Sequence, residues 1–309
     1  MTVTESDISW QLLRQIVQSW AGSSADVAQV MPLYGGCINT TLKLTLTDGR
    51  NAVLKISPHR INQTYRDEAH QLQLLRKLEI PVPDVYDCVT ATLDFPHSYL
   101  LMEFVTGSDW AKCRSHCTLE QADHLQHELA EHVARMHGET GPAFGRVAAA
   151  GASPADSWAA FYRDLYDPIV TAIKTSPLLP IKTRKRLARL HDHLDQYLAH
   201  GDAPRLVHWD LWSGNLLAHP NGDGHWHLAA VLDPNCKFAH AEAELAYLEL
   251  FHTTTPAFLK YYQHHHKLPP EYHRLRKHVY QLYELMNHVQ LFGHEYVKPM
   301  QETLDHLPV

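Results

Sequence analysis

The sequence predicts an α+β chain in two lobes: a small antiparallel β-sheet with one internal helix over residues 1–105, then a larger, mostly helical lobe over residues 106–309. Three observations predict it. Apolar residues alternate at period two through TLKLTLTDGRNAVLKIS, the continuous apolar run SYLLMEFV follows at 98–105, and apolar spacings of three and four dominate after TGSD at 106–109. A chain of 309 residues, 45% of them apolar, is long enough to bury a substantial core for such a pair of lobes.

Each element has its own signal. Ile8, Leu12, Leu13, Ile16, Val17 and Trp20 make a helical stripe over 8–20. Leu42, Leu44 and Leu46, the Asp48-Gly49 turn, and Ala52, Leu54 and Ile56 make a hairpin, with Lys55 on the face opposite Leu54 and Ile56. Tyr65, Ala69, Leu72 and Leu75 mark the buried side of the internal helix, Glu68 sits beside it, and IPVPDVY ends it. SYLLMEFV then reads as a strand buried on both faces.

In the second lobe Thr118 and Gln121 form a capping box for a helix through Leu125, Leu129, Val133 and Met136. Ser153-Pro154 opens another through Trp158 and Phe161. Leu187, Leu190, Leu194 and Leu198 form one stripe ended by Gly201, and Leu275, Val279, Leu282, Met286 and Val289 form a late one. Between them VHWD to NLLA and HWHLAAVLD are strand candidates separated by the turn HPNGDG.

Composition narrows the partners. Thirty-four acidic against 27 basic residues give a net charge of −7 with no long Lys/Arg run, which speaks against nucleic acid. No run of 18 apolar residues is present to span a bilayer, and MTVTESDISW lacks the marks of a secretory leader, so a cytoplasmic protein without membrane contact is expected. Five cysteines read as reduced thiols. Cys113 and Cys117, with His116 between them, lack the second ligand pair that a zinc site needs.

The chemistry is carried by LVHWDLWSGNLLA (206–218), which places Asp210 and Asn215 on a polar loop between apolar segments, and by Asp233 at the end of LAAVLD. Phosphoryl transfer from a nucleotide is mostly positioning and charge stabilisation. It needs a carboxylate to take the acceptor's proton and hard oxygen ligands for Mg²⁺. His208-Trp209-Asp210 followed by Asn215 has the spacing of the kinase loop H-R-D-x-x-x-x-N, which makes Asp210 the candidate base and Asn215 and Asp233 the candidate metal ligands.

The first lobe supplies the remaining parts for ATP. Gly35, Gly36, Cys37 and Asn39 lie in a loop whose backbone N–H groups suit phosphate. Lys55 reaches the α and β phosphates, Glu68 holds it, and the backbone near Glu103 and Val105 serves as a hinge for adenine. Taken singly these are a turn, a strand lysine, a helix-face acid and a capped loop; it is their order along the chain that points to a phosphotransferase.

These motifs also carry a resemblance. LVHWDLWSGNLL, DPNCKFAHAEAELAYLELF (233–251) and YQLYELMNHVQLFGHEY (280–296) closely resemble the fructosamine kinase (ketosamine 3-kinase) family, within the aminoglycoside phosphotransferase-like group. The resemblance runs from YGGCINTTLKL to the late helix. It implies a bilobal protein-kinase-like fold and ATP-dependent phosphorylation of the sugar 3-hydroxyl of a ketosamine, fructosamine or ribulosamine, either as a small molecule or on a glycated protein, in deglycation repair.

Trp212 is then a candidate sugar-facing wall or a core residue, and His208 a second candidate at the substrate. The sequence departs from the family at Trp209, usually glycine, and at Lys237 and Ala239, where an aromatic residue and glycine are usual. Were position 209 to require positive φ, tryptophan there would be strained; the arginine of the kinase loop argues that a side chain is tolerated.

Cys37 is either an inert small residue or a redox-responsive thiol, able to link two chains as a homodimer. Two further functional readings stay open beside the ketosamine kinase: a phosphotransferase on another hydroxylated metabolite or an aminoglycoside, and a catalytically silent nucleotide-binding module.

Overall fold

A computed structural model of the chain describes residues 8–33, 40–58, 61–151, 154–199, 201–220 and 225–309. In chain order the elements are α1 (Trp10–Ala21), β1 (Val27–Pro32), β2 (Thr40–Leu46), β3 (Asn51–Pro58), α2 (Thr64–Lys77), β4 (Val85–Val89), β5 (His97–Glu103), β6 (Ser108–Asp109), α3 (Trp110–His116), α4 (Leu119–Gly138), β7 (Gly145–Arg146), α5 (Trp158–Thr175), α6 (Ile181–Asp192), α7 (Leu194–Leu198), β8 (Arg205–Val207), β9 (Leu216–Pro220), β10 (Trp226–Val231), β11 (Lys237–Ala239), α8 (Ala241–Leu250), α9 (Pro256–Tyr262), α10 (Lys277–Phe292) and α11 (Val297–Asp305). The expected α+β architecture is found: an antiparallel N-terminal sheet and a mostly helical remainder. No helix among the described residues is long and apolar enough to cross a membrane.

The chain divides into two compact units. The first comprises 1–117, 147–151 and 214–235, and the second 118–146, 152–213 and 236–309. The first unit is therefore more than the N-terminal stretch 1–105.

Within the first unit the strands of the main sheet run in the order β1-β2-β3-β5-β4, every pair antiparallel. Period-two alternation sorts its side chains. Leu42, Leu44, Leu46, Leu54 and Ile56 join Leu13, Ile16 and Val17 of α1 in one buried cluster, so the N-terminal helix seals that face. Burying each such side chain contributes roughly 1.5–3 kcal/mol.

Lys55 and Ser57 alternate to the opposite face, where Ser57 Oγ is 3.0 Å from Tyr65 Oη of α2. A second sheet, β10-β9-β6, belongs to the same unit, and the Val231 N–H donates to the Pro81 carbonyl at 2.7 Å.

The second unit is built on helices around a small sheet, β7-β11-β8. The predicted Thr118–Gln121 capping box opens α4. Two expectations are corrected. The helix assigned to Ser153-Pro154 begins at Trp158, because Ser157, whose side chain accepts from the Ala160 N–H, is its cap. The stripe Leu187–Leu198 is two helices, broken at His193, where φ −108° and ψ 9° leave the helical region. The late stripe enters α10 through a π-helical turn over Tyr272–Arg276.

Candidate active site

In the first unit, Lys55 is the centre of a three-residue charge cluster. Its Nζ donates to Glu68 of α2 at 2.6 Å and to Asp233 at 2.6 Å. Lys55 is 8% exposed, whereas the side chain of Asp233 is 45% exposed. Burial by itself would lower the Lys55 pKa, but the two carboxylates outweigh it and hold the ammonium charged. Burial raises the pKa of Glu68, with Lys55 opposing.

Asp233 has φ +53°, a left-handed conformation that aspartate tolerates better than most residues. Next to it the Leu232 N–H donates to the Asn215 carbonyl at 2.9 Å, which joins the strand end bearing Asp233 to the buried Asn215. That bond is between main-chain groups; by type, a carboxylate and a carboxamide are hard oxygen donors of the kind magnesium takes.

Glu103 ends β5, and its N–H donates to the Asp84 carbonyl at 2.8 Å, so that N–H is committed within the unit. Val105 follows the strand and is half-buried. Gly35, Gly36, Cys37 and Asn39 lie outside the described residues. Cys113 and Cys117 are free thiols 3.4 Å apart.

In the second unit, the loop after β8 carries the candidate base. Tyr247 Oη donates to Asp210 Oδ1 at 2.8 Å, and the Asp210 N–H donates to His208 Nδ1 at 3.3 Å. His208 is fully buried, so it shapes the loop from within and does not face a substrate surface. Trp212 is 40% exposed, which makes it a surface ring and not a core residue. The Ser213 N–H donates to Thr253 Oγ1 at 3.1 Å and fixes the end of the loop.

Trp209 has φ +67°. Its N–H donates to Glu244 Oε1 at 2.7 Å, and Glu244 Oε2 is 2.9 Å from His137 Nε2 inside the unit. The Lys237 ammonium lies 4.5 Å from the centre of the indole. Burial, with Arg146 adding to it, pushes Lys237 down to about 7, and burial pushes Glu284 up to about 8; both act electrostatically with Asp210.

Sequence reasoning missed Glu244 and Tyr247. Their signal was available: α8, AEAELAYLEL, buries two acids, Glu242 and Glu244, among alanines and leucines, and buried acids demand partners.

A family model described as Fructosamine kinase matches residues 9–308. An Escherichia coli K12 protein classed as a ketoamine kinase is 27% identical over 313 residues, covering 96% of this chain and 99% of its own. One from Enterococcus faecium is 26% identical over 286 residues, covering 90% and 94%. Among solved structures, one described as a fructosamine-3-kinase from Thermobifida fusca superposes with a TM-score of 0.74 at 23% identity, covering 95% of this chain and 97% of that one. A thermostable mutant of an aminoglycoside phosphotransferase, in ternary complex with AMP-PNP and hygromycin B, gives 0.68 at 19% identity, covering 95% and 96%.

Proposed function

The chain belongs to the fructosamine kinase family, phosphotransferases acting on a sugar hydroxyl, and from that premise we propose that it transfers the γ-phosphoryl group of ATP to the 3-hydroxyl of a ketosamine. The observation that carries the site assignment is Lys55 Nζ at 2.6 Å from both Glu68 and Asp233. A lysine held by a helix glutamate and facing a metal-binding aspartate is the phosphate-binding arrangement of kinases.

In this reading the first unit binds the nucleotide. Lys55 holds the phosphates, Glu68 keeps Lys55 extended, and the Glu103 carbonyl and Val105 N–H take adenine. Asn215 and Asp233 hold magnesium, which when bound neutralises charge on the phosphate oxygens. In the second unit Asp210 accepts the proton of the acceptor hydroxyl, with its carboxylate oriented by Tyr247. The exposed Trp212 ring suits the C–H face of a sugar. Phosphorylation beside the ketosamine carbonyl labilises the sugar–amine bond, which makes the activity a deglycation step in the cytoplasm.

ADP release across ketosamines, aminoglycosides and small alcohols tests the acceptor class, with ketosamines expected to lead. In Asp210→Asn, turnover should fall by roughly 10²- to 10⁴-fold while nucleotide affinity persists. Normal turnover by that variant would remove Asp210 as the base. Preference for aminoglycosides would replace the ketosamine reading.

A further inference from the structure

The second unit contains a pocket lined by Tyr162, Trp209, Tyr247, Tyr280, Tyr283 and Glu284. One wall, Tyr247, is the residue that donates to Asp210, so the pocket adjoins the candidate base. Its make-up is unusual for a surface hollow. Aromatic faces meet two carboxylates, half-buried Glu284 and buried Glu244, and the Tyr162 hydroxyl is buried without a hydrogen-bond partner among the described residues. The room left is small, little more than a water occupies.

Trp209 is one of its walls. A bulky side chain at φ +67° is a strained arrangement, and it persists only where its surroundings over-determine it. Three contacts do so: the backbone hydrogen bond to Glu244, the edge of Tyr283 with ring centres 6.3 Å apart, and the ammonium of Lys237 over the indole. Lys237 is buried in the middle strand β11, opposite Arg146 on β7 and Val207 on β8, two residues before Trp209. A lysine so buried is costly, and its cation–π contact braces the ring. Trp209 and Lys237 are also two of the positions where the sequence departs from its family resemblance.

We propose that Trp209, braced by Lys237, is a specificity-determining wall beside the acceptor hydroxyl: the narrow pocket it lines takes only a small group on the ketosamine nitrogen and restricts the enzyme to free metabolites in place of ketosamines carried on proteins. The proposal rests on the ketosamine reading above. A glycated side chain brings flanking polypeptide with it, and that bulk needs the space the indole fills. Glycine at 209 would open that space and relieve the backbone, since glycine adopts positive φ without penalty.

The test is kcat/KM from ADP release over two series of rising size. One runs from a ketosamine of a methyl-sized amine to a ketosamine-bearing lysine within a hexapeptide, and the other from small to large polyols and amino alcohols. Wild type, Trp209→Gly, Trp209→Asn and Lys237→Met are compared. Wild type should discriminate steeply against size. Trp209→Gly should raise the large-to-small ratio at least tenfold, chiefly by lowering KM for the large member. Trp209→Asn, a residue that tolerates the left-handed region, reports the same ratio if glycine loosens the loop. Lys237→Met, removing a positioning residue, should move KM for the large acceptor in the same direction.

A wild type indifferent to size, or ratios unchanged in both Trp209 variants, overturns the wall. Turnover confined to the alcohol series overturns the ketosamine reading, and the ratio within that series still decides the wall.

Discussion

Replacing Lys55 with methionine removes the ammonium between Glu68 and Asp233 and keeps the length of the side chain. The lysine and glutamate side chains are 10% and 13% exposed, so Glu68 is left charged in a nearly dry site. Breaking a buried pair costs about 3–5 kcal/mol. The Asp233 arm, at 45% exposure, adds at most about 1 kcal/mol. Glu68 has an escape, since burial already raises its pKa and it relaxes by binding a proton, which places the expected loss near 3 kcal/mol at pH 8.

At about 2–4 °C per kcal/mol for a chain of this size, the midpoint of thermal unfolding should drop by roughly 6–12 °C. A glutamate whose folded pKa is raised contributes stability that is present in acid and lost as pH rises through that pKa. The deficit of Lys55→Met should therefore shrink at pH 5.5. Lys55→Met with Glu68→Gln should recover most of the loss, a coupling of about 2 kcal/mol in a double-mutant cycle followed by circular dichroism. Additive single effects, or a deficit independent of pH, would refute the reasoning.

Two further predictions concern the second unit. Glu244 accepts hydrogen bonds on both oxygens, from the Trp209 N–H and from His137. Glu244→Gln turns one acceptor into a donor and should cost about 2 kcal/mol in denaturant unfolding, with a parallel fall in kcat as the Asp210 loop loosens; unchanged values of both would dismiss its positioning role. Glu284, with a native pKa pushed up to about 8 by burial, binds protons that the unfolded chain has released, so its contribution to stability declines as pH rises from about 4.5 to about 8. Lys237, pushed down to about 7, works the other way and favours the native state as pH rises from about 7 towards 10.5. Glu284→Gln should thus flatten the decline between pH 5 and pH 8 in urea midpoints, and an unaltered slope would count against it.

Where a side chain's position depends on local periodicity, the sequence was legible. Alternation along β3 placed Lys55 opposite Leu54 and Ile56, and the helical spacing of Tyr65, Leu72 and Leu75 put Glu68 on the matching side of α2. Chain order alone suggested Lys55, Asp210, Asn215 and Asp233 as a phosphotransferase set, and of these Lys55 and Asp233 meet at 2.6 Å in the first unit. What failed to show was set by tertiary structure. Tyr247 and Glu244 reach the Asp210 loop only because α8 lies against it. The inward turn of His208 and the positive φ of Trp209 follow from that packing and not from propensity. The break at His193 was hidden because the leucines on either side keep a helical spacing.

Each compact unit is stitched from three separate stretches of chain, and the unit that contains the first strands closes only with residues 214–235. During synthesis the early sheet emerges long before β9, β10 and Asp233 exist to complete it. The amine of Lys55 therefore waits for one of its two carboxylates until about three-quarters of the polypeptide has left the ribosome. Truncation anywhere ahead of Asn235 would yield a fragment lacking Asp233 or its neighbours, and a ribosome stalled there would hold a first unit that has yet to form.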